Sequence, residues 1–159
     1  MFQIFIDSDG PMCDFDKALA KSNLQTDDFK YLPGLYLWLD ETLGSRLAIE
    51  ELKAYDDEDI FRIWILTKTP SGSPYAYTEK VLWYREHYPW LEDRIILSHD
   101  KSLIGCKDDF LLDDRPHKAN AEKFRGNFVK FDVKSPRESW VQFVTSVLEF
   151  STKYYANEQ

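Results

Sequence analysis

Near its start the chain reads Phe2-Gln3-Ile4-Phe5-Ile6-Asp7-Ser8-Asp9-Gly10. A short, nearly continuous apolar run leads straight into two aspartates and a glycine. Such a run suits a strand covered on both faces, the habit of parallel sheets. In open α/β sheets, ligands bind beyond the carboxyl ends of the strands, and Asp7 and Asp9 would stand at such an end. Carboxylates at i and i+2 of an extended segment point to the same side. Gly10 then permits a sharp turn or a close backbone approach.

The same kind of run recurs along the chain. Ile60 to Leu66 reads as a second strand, and Ile95–Leu97, Phe110–Leu112 and Asn127 to Phe131 as shorter ones. Helical patterns lie between them. Ser73-Pro74 is an N-cap with proline at the first helical position, opening a helix to about His87. Ser135-Pro136-Arg137-Glu138 is a capping box before a helix whose Trp140, Val141, Phe143, Val144, Val147 and Leu148 form an apolar stripe. Pro33-Gly34 breaks the chain ahead of a helical segment from about Leu35 to Tyr55. Strands alternating with helices predict an α/β domain with a mostly parallel sheet. The acidic run Asp56-Asp57-Glu58-Asp59 reads as a solvated loop, and the tail Tyr154 to Gln159 as a fraying end.

At about 150 residues per domain, the 159-residue chain is expected to form one domain over residues 1–159. An apolar fraction of 43% with 16% aromatics excludes a disordered chain. The net charge of −8 weighs against an unspecific nucleic-acid binder, yet leaves room for small phosphorylated substrates. Two cysteines, Cys13 and Cys106, exclude a disulfide framework and a cysteine-built zinc site. The first fifteen residues carry Asp7, Asp9 and Asp14 without a basic segment, unlike a signal peptide. No apolar run approaches the roughly 18 residues of a membrane span. A soluble, cytoplasmic protein is the expectation.

The residues at the strand ends carry the chemistry. Asp7-Ser8-Asp9-Gly10 comes after the first strand and Thr67-Lys68-Thr69-Pro70 after the second; Asp100-Lys101 and Asp113-Asp114-Arg115-Pro116 flank the shorter ones. Several carboxylates at strand ends repel one another, and a hard divalent cation is the ordinary way to hold them ionised together; Mg²⁺ fits. A hydroxyl and a lysine nearby suit a phosphate bound between metal and protein. One aspartate is then free to attack phosphorus and form an aspartyl-phosphate. A second, two residues on, can protonate the leaving oxygen and later deprotonate water.

The ordered set Ile6-Asp7-Ser8-Asp9-Gly10, Ile65-Leu66-Thr67, Lys101 and Leu111-Leu112-Asp113-Asp114-Arg115-Pro116 resembles the haloacid dehalogenase (HAD) superfamily of phosphatases. Within it the chain is most similar to the 5′(3′)-deoxyribonucleotidase group, on Cys13-Asp14-Phe15, Leu32-Pro33-Gly34, Glu79-Lys80 and Asp100-Lys101-Ser102. The resemblance covers residues 2–18 and 31–134. It implies a three-layer α/β/α, Rossmann-like core and a Mg²⁺-dependent phosphomonoesterase acting on nucleoside monophosphates. It implies Asp7 as nucleophile and metal ligand, and Asp9 as general acid/base with its backbone carbonyl on the metal. Thr67 would bind the phosphoryl group. Lys101 would neutralise its charge, with Lys80 a second candidate. Asp114 would complete the protein ligands of Mg²⁺, with Asp113 beside it as support.

The chain departs from that group in three places. Pro11 stands after the DxDG where Val or Thr is usual, and removes an amide donor near the loop. Lys68 replaces a small hydroxyl residue, either adding charge at the phosphate site or pointing to solvent. Residues 14–32 leave room for only a minimal cap, so specificity would fall to nearby loops, a partner subunit in a homo-oligomer, or the substrate itself. Among the other residues, Trp83 and Tyr84 read as core, Cys13 as buried packing and Arg115 as a partner for the acidic pair. Asp14 and Asp16 favour a helix N-terminus, while Tyr31, Tyr36 and Trp38 flank the shortened cap. Alternatives are a HAD phosphatase of a sugar phosphate or a nucleic-acid end, and a non-catalytic phosphate-binding protein on the same fold. A receiver domain, which also clusters aspartates, Thr and Lys around Mg²⁺, is disfavoured because here the acidic pair comes after the Thr and the Lys.

Overall fold

A computed structural model describes residues 1–156. Five strands, β1 (Phe2–Ile6), β2 (Phe61–Thr67), β3 (Ile95–Leu97), β4 (Phe110–Asp113) and β5 (Asn127–Lys130), form one sheet in the order β3-β2-β1-β4-β5. Every pairing is parallel. β1 lies at the centre, with β2 on one side and β4 on the other, so the strand order reverses there. That reversal opens a crevice at the carboxyl ends of the strands, where Asp7 follows β1, Thr67 ends β2 and Asp113 ends β4.

The period-two alternation of the strands sorts side chains to two faces. Phe2, Ile4 and Ile6 of β1 join the main core, while Phe5 joins a smaller cluster with Leu66, Leu111 and Phe124. The main core is closed by α1 (Phe15–Ser22), α3 (Ser45–Asp57), α4 (Pro74–His87) and α5 (Pro136–Ala156), each of which supplies apolar residues to it. A four-residue helix, α2 (Thr26–Phe29), lies between α1 and α3. The opposite layer is thin and is built from the 3-10 segment Lys118–Lys123 and Phe124.

Local signals account for most of the boundaries. The Asp14 carboxylate accepts from the Lys17 N–H at 3.1 Å and starts α1; the Ser73 hydroxyl accepts from the Ala76 N–H at 3.3 Å and starts α4. Both are side-chain N-caps. Trp140, Phe143, Val144 and Val147 form the buried stripe of α5, but Val141 is 67% exposed. One residue beyond Trp140 it has turned by about 100°, off the packed face.

Further expectations are corrected. The segment from Leu35 to Tyr55 is not one helix: a 3-10 turn (Leu35–Leu37) gives way to extended chain, and α3 begins only at Ser45, after Gly44 at φ +93°. The extended part reaches instead to the loop after β1, bonding to it through Asp40 and Thr42. The acidic run is only in part a solvated loop: Glu58 and Asp59 form an exposed turn. Asp56 and Asp57 close α3, and the Asp56 carboxylate is buried between Arg62 and Arg94. Of the tail, Tyr154 to Ala156 belong to α5, and residues 157–159 lie outside the described residues. No helix among the described residues is long and apolar enough to cross a membrane.

Candidate active site

The loop after β1 is held from all sides. The Asp7 N–H continues the ladder to the Leu112 carbonyl at 2.9 Å. Met12 and Cys13 both donate their N–H to the Ser8 carbonyl, at 3.0 and 2.9 Å, and Gly10 N–H donates to the Cys13 carbonyl at 2.8 Å. Residues 40–42 then clasp it: Asp14 N–H donates to Asp40, Thr42 N–H to Met12, and the Thr42 hydroxyl to the Gly10 carbonyl at 2.6 Å. Pro11 lacks an amide, but its carbonyl accepts from the Trp140 indole at 3.1 Å. Satisfied buried backbone of this kind fixes a loop in advance of any ligand.

Two buried lysines divide the carboxylates between them. Lys101 Nζ, on the turn after β3, donates to Asp7 Oδ1 at 2.7 Å and Asp113 Oδ2 at 2.6 Å. Burial works to lower its pKa, but Asp7 and Asp113 outweigh it and the ammonium ends above its ordinary range. Lys80 Nζ, on α4, donates to Asp9 Oδ1 at 2.6 Å and Thr67 Oγ1 at 3.1 Å. The residue before it, Glu79, is buried and accepts from the Gly34 N–H at 2.6 Å and the Tyr36 N–H at 3.2 Å. Adjacent residues of one helix thus fasten the Pro33-Gly34 turn and the Asp9 carboxylate.

The acidic pair after β4 is asymmetric. Both oxygens of Asp113 are engaged, Oδ2 by Lys101 and Oδ1 by the Arg115 N–H at 2.8 Å. Asp114 meets the Arg115 guanidinium at 3.2 Å through Oδ2, while its Oδ1 is buried without a hydrogen-bond partner. Burial pushes the Asp113 carboxyl up to about 6, with Asp7 adding to the shift and Lys101 opposing it. Burial pushes Asp114 up to about 7 against the pull of Arg115, and Asp7 and Asp113 add to the rise.

Oxygens of Asp7, Asp113 and Asp114 lie within 4.8 Å of one another. The donors are all hard oxygens, and one is an orphan that a cation would satisfy. A Cβ on Gly10 would stand 2.7 Å from Asp114 Cγ, so glycine is what leaves this carboxylate room. This set fits a small divalent cation, with Asp7 and Asp114 as ligands and Asp113 steadied by its own hydrogen bonds.

These groups open onto a cleft of about 200 Å³. Of the residues anticipated from sequence, Asp7, Asp9, Lys68, Lys101 and Asp113 line it. Thr67 and Lys80 are buried beneath it, Lys80 bonding both to Thr67 and to Asp9, which lines the cleft, and Asp114 sits behind Gly10. Lys68 is exposed at the mouth. Sequence reasoning had no view of Phe15, Thr26, Lys30 and Lys118 as further lining residues, nor of Glu79 and Thr42 as fasteners. Tyr31 and Tyr36 line the cleft, whereas Trp38 is 82% exposed elsewhere. Cys13 is buried, and burial raises its thiol, which keeps it unreactive. His99 is exposed, and exposed His117 pairs with Glu122.

A parallel sheet in this order, with a paired aspartate motif closing its central strand, defines a Rossmann-like core of the HAD type. Residues 25–142 match the family model described as 5′ nucleotidase, deoxy (pyrimidine), cytosolic type C protein. The chain belongs to this HAD-like nucleotidase family, whose members are phosphoric monoester hydrolases. The match takes in Thr67, Lys80, Lys101 and the acidic pair, and begins after Asp7 and Asp9. A search of curated proteins found no match.

Proposed function

We propose that the protein hydrolyses nucleoside monophosphates through a phosphoryl-enzyme formed on Asp7, with Mg²⁺ as the cation. The observation that carries this reading is the Asp7 carboxylate. It lines the cleft, is held by Lys101 at 2.7 Å, and lies among three carboxylates of which one, Asp114, has a partnerless buried oxygen.

In the proposed reaction an Asp7 oxygen attacks phosphorus and the bond from phosphorus to the nucleoside oxygen breaks. Asp9 gives the leaving oxygen its proton. Asp9 then takes a proton from water, whose oxygen attacks the phosphoryl group, freeing inorganic phosphate and Asp7. Lys80 acts through Asp9, holding that carboxylate in one direction. The Thr67 hydroxyl accepts from Lys80 and keeps its own hydrogen to donate to a phosphoryl oxygen. Of the two buried lysines, Lys101 rather than Lys80 is the main phosphate lysine, since Lys101 lines the cleft floor and Lys80 does not line the cleft. Asp7, Asp114 and the Asp9 backbone carbonyl would hold Mg²⁺, with Asp113 in support. Bound there, the ion would neutralise charge on the phosphoryl oxygens. Fixed donors aimed at that charge are the main source of rate in such a site.

Residues 14–32 form the whole of the cap. Its Phe15, Thr26, Lys30 and Tyr31, with Tyr36 just beyond, give the cleft an aromatic side that suits a nucleobase. The family name supports a pyrimidine deoxynucleotide and a cytosolic setting. The test is phosphate release from nucleoside 5′- and 3′-monophosphates, sugar phosphates and an aryl phosphate, with Mg²⁺ or chelator. Turnover on nucleotides that needs Mg²⁺ and is lost in Asp7→Asn supports the reading. A preference for sugar phosphates would move the substrate class, and turnover unaffected by Asp7→Asn would refute the mechanism.

A further inference from the structure

The protein carries a net charge of −8, yet the mouth of its cleft is cationic. Beyond the catalytic floor, Lys30, Lys68, Arg115 and Lys118 line the cleft, and no acidic side chain lines it outside the floor. Arg115 is matched by Asp114, and Lys30 by Asp27, which does not line the cleft. Neither Lys68 nor Lys118 makes a salt bridge among the described residues, although Asp27 and Asp114 act on Lys118 from a distance. Like charges gathered without counter-charge cost free energy, and a protein rich in carboxylates has ample means to neutralise them. One transferring phosphoryl group is already served by Lys101 and Thr67, with a cation. The surplus at the rim needs another explanation.

We propose that the substrate carries a second phosphate, which binds across Lys68 and Lys118, and that the enzyme therefore prefers nucleoside bisphosphates phosphorylated on two sugar oxygens over monophosphates. This rests on the phosphatase reading and names its substrate class more closely. The two lysines come from opposite sides of the crevice, Lys68 directly after β2 and Lys118 after β4. A group held between them would sit above the floor, at the open side of the cleft.

The rim is held in place by the same network as the floor. Lys118 N–H donates to the Arg115 carbonyl at 2.9 Å. Two residues on, the Asn120 amide donates to Asp100 Oδ2 at 3.0 Å, and Asp100 Oδ1 accepts from the Ser102 N–H and hydroxyl around Lys101. Ala119, which lines the cleft, and Asn120 both have positive φ, at 50° and 53°. Consecutive non-glycine residues in that region are strained, and such strain gathers at ligand sites. The ammonium of Lys118 lies below its ordinary pKa, through burial first and then through Arg115, Lys30 and Lys68, with Asp114 opposing, so these cations feel one another.

The experiment compares kcat/KM for a pyrimidine deoxynucleoside 3′,5′-bisphosphate with its 5′- and 3′-monophosphates. It uses wild type, Lys68→Met, Lys118→Met, and Lys107→Met, which removes an equal charge from an exposed site outside the cleft. Exposed charge pairs of this kind predict about threefold per lysine, so a preference of about tenfold in wild type. The preference should fall about threefold in each rim variant, hold in Lys107→Met, and shrink as salt is raised. Equal or better turnover of the monophosphates overturns the proposal, as does a preference that Lys118→Met leaves intact. Failure to release phosphate from any compound, an aryl phosphate included, sinks the phosphatase reading instead. The rim is then judged by binding to Asp7→Asn: a bisphosphate bound no more tightly than a monophosphate overturns it too.

Discussion

Replacing Gly10 with alanine should unfasten the proposed metal site more than it unfolds the protein. Gly10 has φ +103°, a conformation that costs an L-residue about 1–3 kcal/mol. The backbone cannot easily move to relieve this. Its N–H donates to Cys13 at 2.8 Å and its carbonyl accepts from Thr42 at 2.6 Å. The new Cβ would stand 2.7 Å from Asp114 Cγ and 2.9 and 3.0 Å from the carboxylate oxygens. Contacts between carbons relax only near about 3.5 Å, so the Asp114 carboxylate must give way. At about 2–4 °C per kcal/mol for a domain of this size, Tm falls by roughly 2–12 °C. Wild type in Mg²⁺ at a hundred times Kd should gain about 2.7 kcal/mol, and the variant little or none of it. Gly44→Ala is the control: φ is +93°, but its Cβ would meet nothing closer than 3.5 Å and no carboxylate. It should lose stability and keep the Mg²⁺-dependent rise. Thermal melts with Mg²⁺ and with chelator read both quantities. A Gly10→Ala protein that melts with wild type and still responds to Mg²⁺ would refute the reasoning.

Asp113 and Asp114, pushed up to about 6 and about 7, keep protons that the unfolded chain releases near pH 4. Metal-free stability should therefore fall as pH rises from about 4 to 7, and Mg²⁺ should bind more tightly over the same range. Urea midpoints in chelator at pH 5 and 7.5 check the sign, with Asp114→Asn isolating that group: its stability relative to wild type should rise with pH. Lys101→Met leaves Asp7 and Asp113 buried without their cation. It should cost about 3–5 kcal/mol at pH 7.5 by urea unfolding, less at pH 5 where Asp113 takes a proton, and abolish phosphate release. Arg94→Leu strips a partner from buried Asp56, remote from the cleft. A loss of about 3 kcal/mol by the same assay with KM unchanged is expected, and a change in KM would mean that the two regions are coupled.

The strands were legible because parallel strands buried on both faces have few residue types to choose from. β1 begins and ends where its apolar run does, and β2 is displaced from its reading by one residue. The helices with a capping serine or aspartate were legible for the same local reason. The segment after Leu37 was not. Its helical pattern is overridden by the demand of the loop after β1 for partners, which Asp40 and Thr42 supply from far along the chain. Asp56 misled for a related reason: an acidic run reads as solvent-facing unless two arginines, 6 and 38 residues away, are known to converge on it. At the site, the order of Asp7, Asp9, Thr67, Lys101 and the acidic pair pointed to the phosphatase class that the family match supports. It carried no information on which lysine meets which carboxylate, since that depends on where α4 crosses the sheet. Of the rim, Lys68 was legible beside Thr67, but Lys30 and Lys118 were not: the three come from separate connections and share no motif.

The division of charge explains why the acidic pair behaves unequally. Asp7, Asp9, Asp113 and Asp114 face Lys80, Lys101 and Arg115, which leaves one negative charge uncompensated. A buried surplus is relieved either by a proton or by a cation. It falls on the carboxyl with the orphan oxygen, Asp114, which is also the one pushed highest. Proton and the proposed divalent ion would thus compete for one place. Gaining the ion turns the surplus into one positive charge, and a phosphate dianion then finds an attractive floor. Losing it leaves a floor that repels phosphate, so the metal and the phosphate would bind with positive coupling. Wild type should bind inorganic phosphate measurably only with Mg²⁺ present. Asp114→Asn removes the surplus without supplying the ion, so it should bind phosphate weakly and with little dependence on Mg²⁺.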